Sequence, residues 1–103
     1  MLSLLLCFIL CSGCAYDRLN TKLRPTSADG EYAYFVYESY ADLVYPEDSA
    51  SAENTRKQWL EKWLEDNGMA GKPYEILNRK AVHKHTGLIG AIYDIYYDVR
   101  VKK

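Results

Sequence analysis

The chain has 103 residues, of which 49% are hydrophobic and 14% aromatic, and ten of the aromatic residues are tyrosines. This length allows one small domain and leaves no room for a second. The formal net charge is −1, and because acidic residues are interspersed among the basic ones, the composition argues against a nucleic-acid-binding protein.

The first fourteen residues differ in composition from the rest of the chain. Residues 1–11 are uncharged and almost wholly apolar, but a helix needs ~20 such residues to cross a bilayer. Their length suits the apolar core of a signal peptide, and the small residues Ser12 and Gly13 before Cys14 suit a cleavage site. All three cysteines of the chain lie in this segment, so a domain formed by the remainder must be stable without disulfides.

The four residues Cys11-Ser12-Gly13-Cys14 resemble the lipobox of bacterial lipoproteins, an apolar residue followed by two small residues and a cysteine. The resemblance implies that residues 1–13 are a lipoprotein signal peptide and that Cys14 carries the lipid. It also implies a place in the cell envelope, and Ala15 favours an outer-membrane lipoprotein facing the periplasm if the organism is Gram-negative. The alternatives are an ordinary cleaved signal peptide and a buried N-terminal segment of a cytosolic domain.

Residues 14–30 are predicted to form the acylated cysteine and a tether, because they show no sustained period and end in turn-forming residues. A flexible tether of this length would hold the domain ~20–25 Å from the membrane on average. The folded domain is therefore expected to span residues 31–103.

The domain begins with a predicted strand at residues 31–40, a segment dense in aromatic and β-branched residues. A polar loop follows and is expected to end in a serine that caps the next helix. The helix is predicted over residues 52–66, since apolar residues recur there at helical spacing. They are Ala52, Trp59, Leu60, Trp63 and Leu64. The opposite side is assigned to the charged residues Arg56, Lys57, Glu61, Lys62 and Glu65.

Two further strands are predicted at residues 73–82 and 88–101, joined by a turn at residues 83–87. The last strand alternates most clearly: odd-numbered residues from 89 to 101 are apolar, whereas Asp94, Asp98 and Arg100 share the other face. We therefore expect an α+β fold with the order β-α-β-β. One helix packs on a three-stranded, mostly antiparallel sheet, and the C-terminal strand is central and pairs with both others.

Few residues suggest catalysis or metal binding. His83 and His85 could place both rings on one side of an extended segment, but two ligands do not complete a zinc site; an exposed turn, or weak adventitious metal binding, is the expectation. Asp94 and Asp98 share a strand face at a separation of ~13 Å, beyond the ~5–9.5 Å of glycosidase carboxylate pairs. Glu38 could approach them from the first strand, depending on register. No catalytic residue, metal site or small-molecule cofactor is predicted.

The tyrosines are more informative. Tyr93 and Tyr97 are candidates for the core, but one helix cannot cover all of the others, which include Tyr32, Tyr34, Tyr40, Tyr74 and Tyr96. Tyrosines on an open sheet face are typical of protein interfaces and suit stacking on sugars. The candidate binding residues are therefore Tyr34, Tyr96, Asp94 and Asp98. Alternatively, dimerisation or the tether covers that face.

The sequence thus favours a lipid-anchored, non-enzymatic envelope protein that binds an envelope protein or a cell-wall partner near the membrane, for example as an inhibitor or an accessory subunit. The alternative is a small periplasmic hydrolase or metal-dependent enzyme that uses Asp94, Asp98 and the two histidines.

Overall fold

The computed structural model describes residues 17–87 and 90–103, so the predicted signal peptide and Cys14 lie outside the described residues. Within them the main elements are β1 (Lys22–Ala28), β2 (Tyr32–Ala41), α1 (Ala50–Asp66), β3 (Tyr74–Gly87) and β4 (Gly90–Lys102). The strands form one sheet in the order β1-β2-β4-β3, and each neighbouring pair is antiparallel. The α+β class is confirmed, as is the pairing of the C-terminal strand with both β2 and β3.

The predicted number of strands is wrong, because the sheet has four strands rather than three. The extra strand, β1, falls in the segment that the sequence assigned to the tether. Six of its seven residues are exposed, so it lacks the apolar alternation by which a half-buried strand is recognised. Pro25 and the register shift that follows it are typical of an edge strand, where a missing N–H costs no ladder hydrogen bond.

The residues before β1 are also fixed to the domain. Arg18 forms an ion pair of 2.9 Å with Asp66 at the end of α1, and its guanidinium lies 4.6 Å from the centre of the Trp63 ring. The indole N–H of Trp63 donates to the hydroxyl of Thr21 at 2.7 Å, and Thr21 is buried. The folded domain therefore includes residues 17–28, which the sequence assigned to the tether, and does not begin at residue 31.

Helix α1 begins at Ala50, two residues before its predicted start, and is capped at both ends. The hydroxyl of Ser49 accepts a hydrogen bond from the N–H of Ala52, as a helix cap does. At the other end Asn67 is the C-cap, and Gly68 follows with a φ of 78°, a conformation that glycine adopts without strain. The predicted end of the helix at residue 66 is confirmed.

The core lies between α1 and the two central strands. Its buried members are Tyr37, Ala41, Trp59, Leu60, Leu64, Ile95, Tyr97, Val99 and Val101. The rings of Tyr37 and Tyr97, from neighbouring strands, stack with centroids 5.3 Å apart. Alternate residues of β4 enter this core, which confirms the predicted apolar face for the described part of that strand.

The predicted position of Arg56 is wrong: the residue is fully buried rather than on the solvent side of the helix. It lies four residues after Ala52 and three before Trp59, so it belongs to the apolar stripe. A buried guanidinium needs acceptors, and it donates to the carbonyl oxygens of Tyr45 at 3.1 Å and Pro46 at 3.0 Å in the loop before α1.

The turn predicted at residues 83–87 is also wrong, because β3 continues to Gly87, which pairs with Gly90. Residues 88–89, which connect the two strands, lie outside the described residues. The last part of β3 is exposed from Val82 to Gly87. Its polar composition is therefore typical of a turn, although its backbone pairs with β4.

Candidate interaction surface

The sheet has a second face, opposite α1, which we call the open face. Side chains alternate between the two faces along a strand, and Tyr37, Ser39, Ile95 and Tyr97 are buried on the helix side. The residues between them therefore point away from the helix, and all of these except the exposed Asp98 are partly exposed. On the central strands the open face consists of Tyr32, Tyr34, Val36, Glu38, Asp94, Tyr96, Asp98 and Arg100.

The structure places all four predicted binding residues on this face, because Tyr34, Asp94, Tyr96 and Asp98 all occupy its alternate positions. The β2–β4 register sets Tyr34 beside Arg100 and Asp98 beside Val36. The four residues thus follow the strands in a row rather than meeting at one point. Such a row suits an extended contact rather than a compact catalytic centre.

One end of the open face is an ordered group of rings and cations. The guanidinium of Arg100 lies 4.4 Å and the ammonium of Lys102 lies 5.1 Å from the centre of the Tyr32 ring, both within cation–π range. The Tyr34 ring is 6.3 Å from that of Tyr32. These contacts restrain the rings before any partner binds, which reduces the entropy lost on binding.

Asp29 holds this end in place. Hydrogen bonds from the N–H groups of Tyr32 and Glu31, and one of 2.8 Å from the Tyr34 hydroxyl, hold the pKa of the Asp29 carboxyl below its usual range. The same bond to Asp29 raises the pKa of Tyr34. At neutral pH the carboxylate therefore accepts and the phenol donates, so the position of Tyr34 is defined.

The other end of the open face is a groove of about 640 Å³. Asp94 and Tyr96 line it, together with Glu38 and Tyr40 of β2. Glu38 lies directly opposite Tyr96, which stands between Asp94 and Asp98 on β4. Glu38 is therefore diagonal to both aspartates and is paired with neither. Burial, together with the nearby carboxylates Asp17 and Asp42, raises the pKa of Tyr40 to about 12, so its phenol is neutral and able to donate.

The groove carries more acids than bases. Its carboxylates are Asp17, Glu38, Asp42 and Asp94, and its cations are Lys22 and Lys84. The ammonium of Lys84 is 3.9 Å from the Asp94 carboxylate. Hydroxyl-rich or cationic groups of a partner fit this mixture of carboxylates and phenols better than anionic groups do.

The histidines do not come together. His83 pairs with Tyr93, whereas His85 pairs with Ile92. Tyr93 and Ile92 are neighbours on β4 and point to opposite faces of the sheet. The two histidines, which a β-bulge separates, therefore lie on opposite faces as well. The expectation that both rings could share one side is therefore wrong. The His83 ring lies 2.8 Å from the Thr86 hydroxyl and 5.3 Å from the Tyr93 ring. Across residues 17–87 and 90–103, no group of three or more His, Cys, Asp or Glu side chains could hold a metal ion.

A cluster of charges on the helix side was not predicted. The Glu53 carboxylate accepts from the Tyr97 hydroxyl at 2.9 Å, from Arg56 at 3.0 Å and from Arg79 at 3.2 Å. Burial alone would raise the pKa of Glu53, but the bonds from Arg79, Tyr97 and Arg56 outweigh it and hold the pKa below its usual value. At neutral pH the ionised carboxylate therefore links α1 to Arg79 of β3 and Tyr97 of β4.

The spacing of Arg56 on the apolar stripe was the one sequence signal for this cluster. Arg79 sits on β3, far from Glu53 in sequence, and its contact depends on the tertiary fold.

In the part of the chain that the structure describes, no helix is long and apolar enough to cross a bilayer. Comparisons of the chain with protein-family models, with curated proteins and with solved structures give no match. The function is therefore argued from the geometry of the open face.

Proposed function

We propose that the chain is a lipid-anchored protein of the cell envelope whose domain is a non-enzymatic interaction module. In this proposal Cys14 carries the lipid and the open face contacts an envelope protein or the cell wall. The observation that carries it is the open face itself, a row of tyrosines and charged residues on the two central strands against which no helix of residues 17–87 and 90–103 packs.

The composition of the open face supports a contact role. Tyrosine and arginine are enriched at protein interfaces, since each combines a broad apolar surface with hydrogen-bonding capacity. Tyr34, Tyr96 and Arg100 supply these groups on neighbouring strands. Sheets bury their apolar faces against a second layer, and the partly exposed Val36 and tyrosines leave such surface available to a partner.

The charges on the face are arranged in pairs across strands. Arg24 of β1 lies 3.3 Å from Glu38, and Arg100 forms an ion pair with Glu75 of β3. These exposed pairs add little to stability, but they hold charges of both signs at defined positions. A partner with the complementary pattern would be distinguished from one without it.

Site-specific photo-crosslinking in intact cells tests this role. A photoreactive amino acid replaces Tyr34 or Tyr96 in the full-length chain, and Gln58, which is exposed on α1, is the matched control. We expect a discrete adduct from both open-face positions and none from position 58. An adduct released only by digestion of the cell wall identifies the wall as the partner.

Two outcomes contradict the proposal. One is the absence of any difference between the three positions, whether all of them give the same adduct or none gives one. The other is an adduct with twice the mass of the chain, because a second copy would then occupy the face.

A further inference from the structure

The exposed apolar side chains are unevenly distributed. Within the described residues the large ones are Leu19, Leu43, Val44, Leu77 and Val82. The three most exposed are Leu19 at 63%, Leu43 at 66% and Val44 at 73%. Single exposed apolar residues are common, but these three belong to two segments that meet at one end of the domain, and we call them the apolar end.

One hydrogen bond joins those two segments, and two more fix the loop that holds Leu43 and Val44. The Tyr45 hydroxyl donates to the Asp17 carboxylate at 2.6 Å. The Asp42 carboxylate accepts from the N–H groups of Val44 and Tyr45 at 2.9 and 2.8 Å, which fixes the loop that presents Leu43 and Val44. Val44 and Asp17 also line the same groove. The apolar end therefore lies where the chain enters the described domain.

The distance to the lipidation site is short. Only Ala15 and Tyr16 separate Cys14 from Asp17, and consecutive Cα atoms are 3.8 Å apart, so the two Cα atoms are at most ~11 Å apart. The headgroup region of one leaflet is roughly 5–8 Å thick. A lipid on Cys14 would thus bring the apolar end to the membrane surface, whereas a tether through residue 30 would not.

We infer that the apolar end is a membrane-contact surface, with Leu19, Leu43 and Val44 inserted among the headgroups of the bilayer that holds the Cys14 lipid. This inference rests on the lipid anchoring in the proposed function and adds the orientation of the domain. The anchor supplies a high local concentration of bilayer, so small apolar side chains suffice for contact. Asp17 and Asp42 lie at this end, and because carboxylates repel anionic headgroups, the contact is expected with neutral or zwitterionic lipids.

The orientation leaves the end of the open face that holds Tyr34 and Arg100 accessible, because the groove lined by Asp94 and Tyr96 lies beside Val44 at the apolar end. The open face runs along β2 and β4 from the groove, at the apolar end, towards Tyr32 and Lys102 at the opposite end. Contact of the strand ends with a bilayer covers neither Tyr34 nor Arg100. The domain can therefore touch lipid with the groove end while a partner binds the end of the open face that holds Tyr34 and Arg100.

Fluorescence of the acylated, full mature chain in vesicles tests the inference. The chain is reconstituted into phosphatidylethanolamine–phosphatidylcholine vesicles after mass spectrometry has verified the acyl groups. An environment-sensitive fluorophore is attached at Leu43→Cys, and Leu77→Cys, an exposed leucine of β3 near the opposite end, is the matched control. We expect a blue shift and loss of iodide quenching at position 43 and neither change at position 77.

A second variant separates insertion by the protein from insertion by the fluorophore. The label is placed at Leu19→Cys, with and without the double substitution Leu43→Ser and Val44→Ser. We expect the blue shift at position 19 to be lost in the double variant. An unchanged shift overturns the inference, because the neighbouring side chains would then make no contribution.

The remaining outcomes distinguish the two proposals. If position 43 is quenched by iodide as strongly as position 77 while Cys14 carries its acyl groups, the membrane-contact surface is refuted and the anchored interaction module stands. If the mature chain carries no acyl group, both are refuted.

Discussion

Replacing Arg56 by methionine tests how the loop before α1 is held. The guanidinium is fully buried, and it bonds the Glu53 carboxylate at 3.0 Å and the carbonyl oxygens of Tyr45 and Pro46 at 3.1 and 3.0 Å. Methionine has a similar stem, so it retains much of the packing. The substitution mainly removes the charge and the donors.

The expected loss follows from these contacts. Removing one partner of a buried ion pair costs about 3–5 kcal/mol. Glu53 keeps its bonds to Arg79 and Tyr97, which reduces the loss, whereas the two carbonyl oxygens lose a donor at about 1–3 kcal/mol for each group left buried. We therefore expect the free energy of unfolding to fall by about 3–4 kcal/mol, a large part of the 5–15 kcal/mol typical of a domain.

Urea unfolding, followed by the fluorescence of Trp59 and Trp63, measures this loss. Lys57→Met is the matched control, because Lys57 is the exposed neighbour of Arg56 on the same helix; its effect should stay within about 0.5 kcal/mol. If Arg56→Met is destabilised by less than about 1 kcal/mol, the hydrogen bonds to the loop do not stabilise the domain and the reasoning is refuted.

Three further predictions concern other contacts. The folded-state pKa of Glu53 lies below its ordinary value of 4.5, so its ionised form stabilises the domain above that pH. The difference in unfolding free energy between wild type and Glu53→Gln should therefore shrink as the pH falls through 4.5 and below. Urea titrations that show a constant difference would contradict this. Ser49→Ala should cost about 1 kcal/mol by urea unfolding and Ser49→Gly only a few tenths, with equal losses contradicting a capping role. Trp63→Phe removes the donor to Thr21. Amide hydrogen exchange should therefore become faster at residues 18–21 and stay unchanged in β4. Unchanged exchange at residues 18–21 would show that the indole does not hold this segment.

The elements found from sequence were those whose signals are local. The end of the helix at residue 66 and the alternation of β4 each depend on residues a few positions apart, and the structure confirms both. A serine cap was also predicted, but the cap is Ser49, so the helix begins two residues earlier than expected. The shared face of Asp94 and Asp98 also follows from the period of a strand, which is local too, whereas the side of the sheet on which Tyr34 lies depends on the β2–β4 register.

The elements missed are those whose stability comes from the partner strand or from the tertiary fold. β1 and the end of β3 are exposed edge segments, so backbone pairing with a neighbour decides their structure while their side chains carry no apolar pattern. Arg56 was assigned to the solvent because of its charge, although its position lay on the apolar stripe; its burial depends on carbonyl oxygens of a loop whose path the sequence does not reveal.

Mass spectrometry of the mature chain isolated from its own cells tests the central claim most directly, because anchoring, orientation and contact role all depend on it. We expect a polypeptide that starts at Cys14 and carries the mass of a diacylglyceryl group, with or without a further acyl chain. An unmodified polypeptide that still starts at Met1 would contradict it.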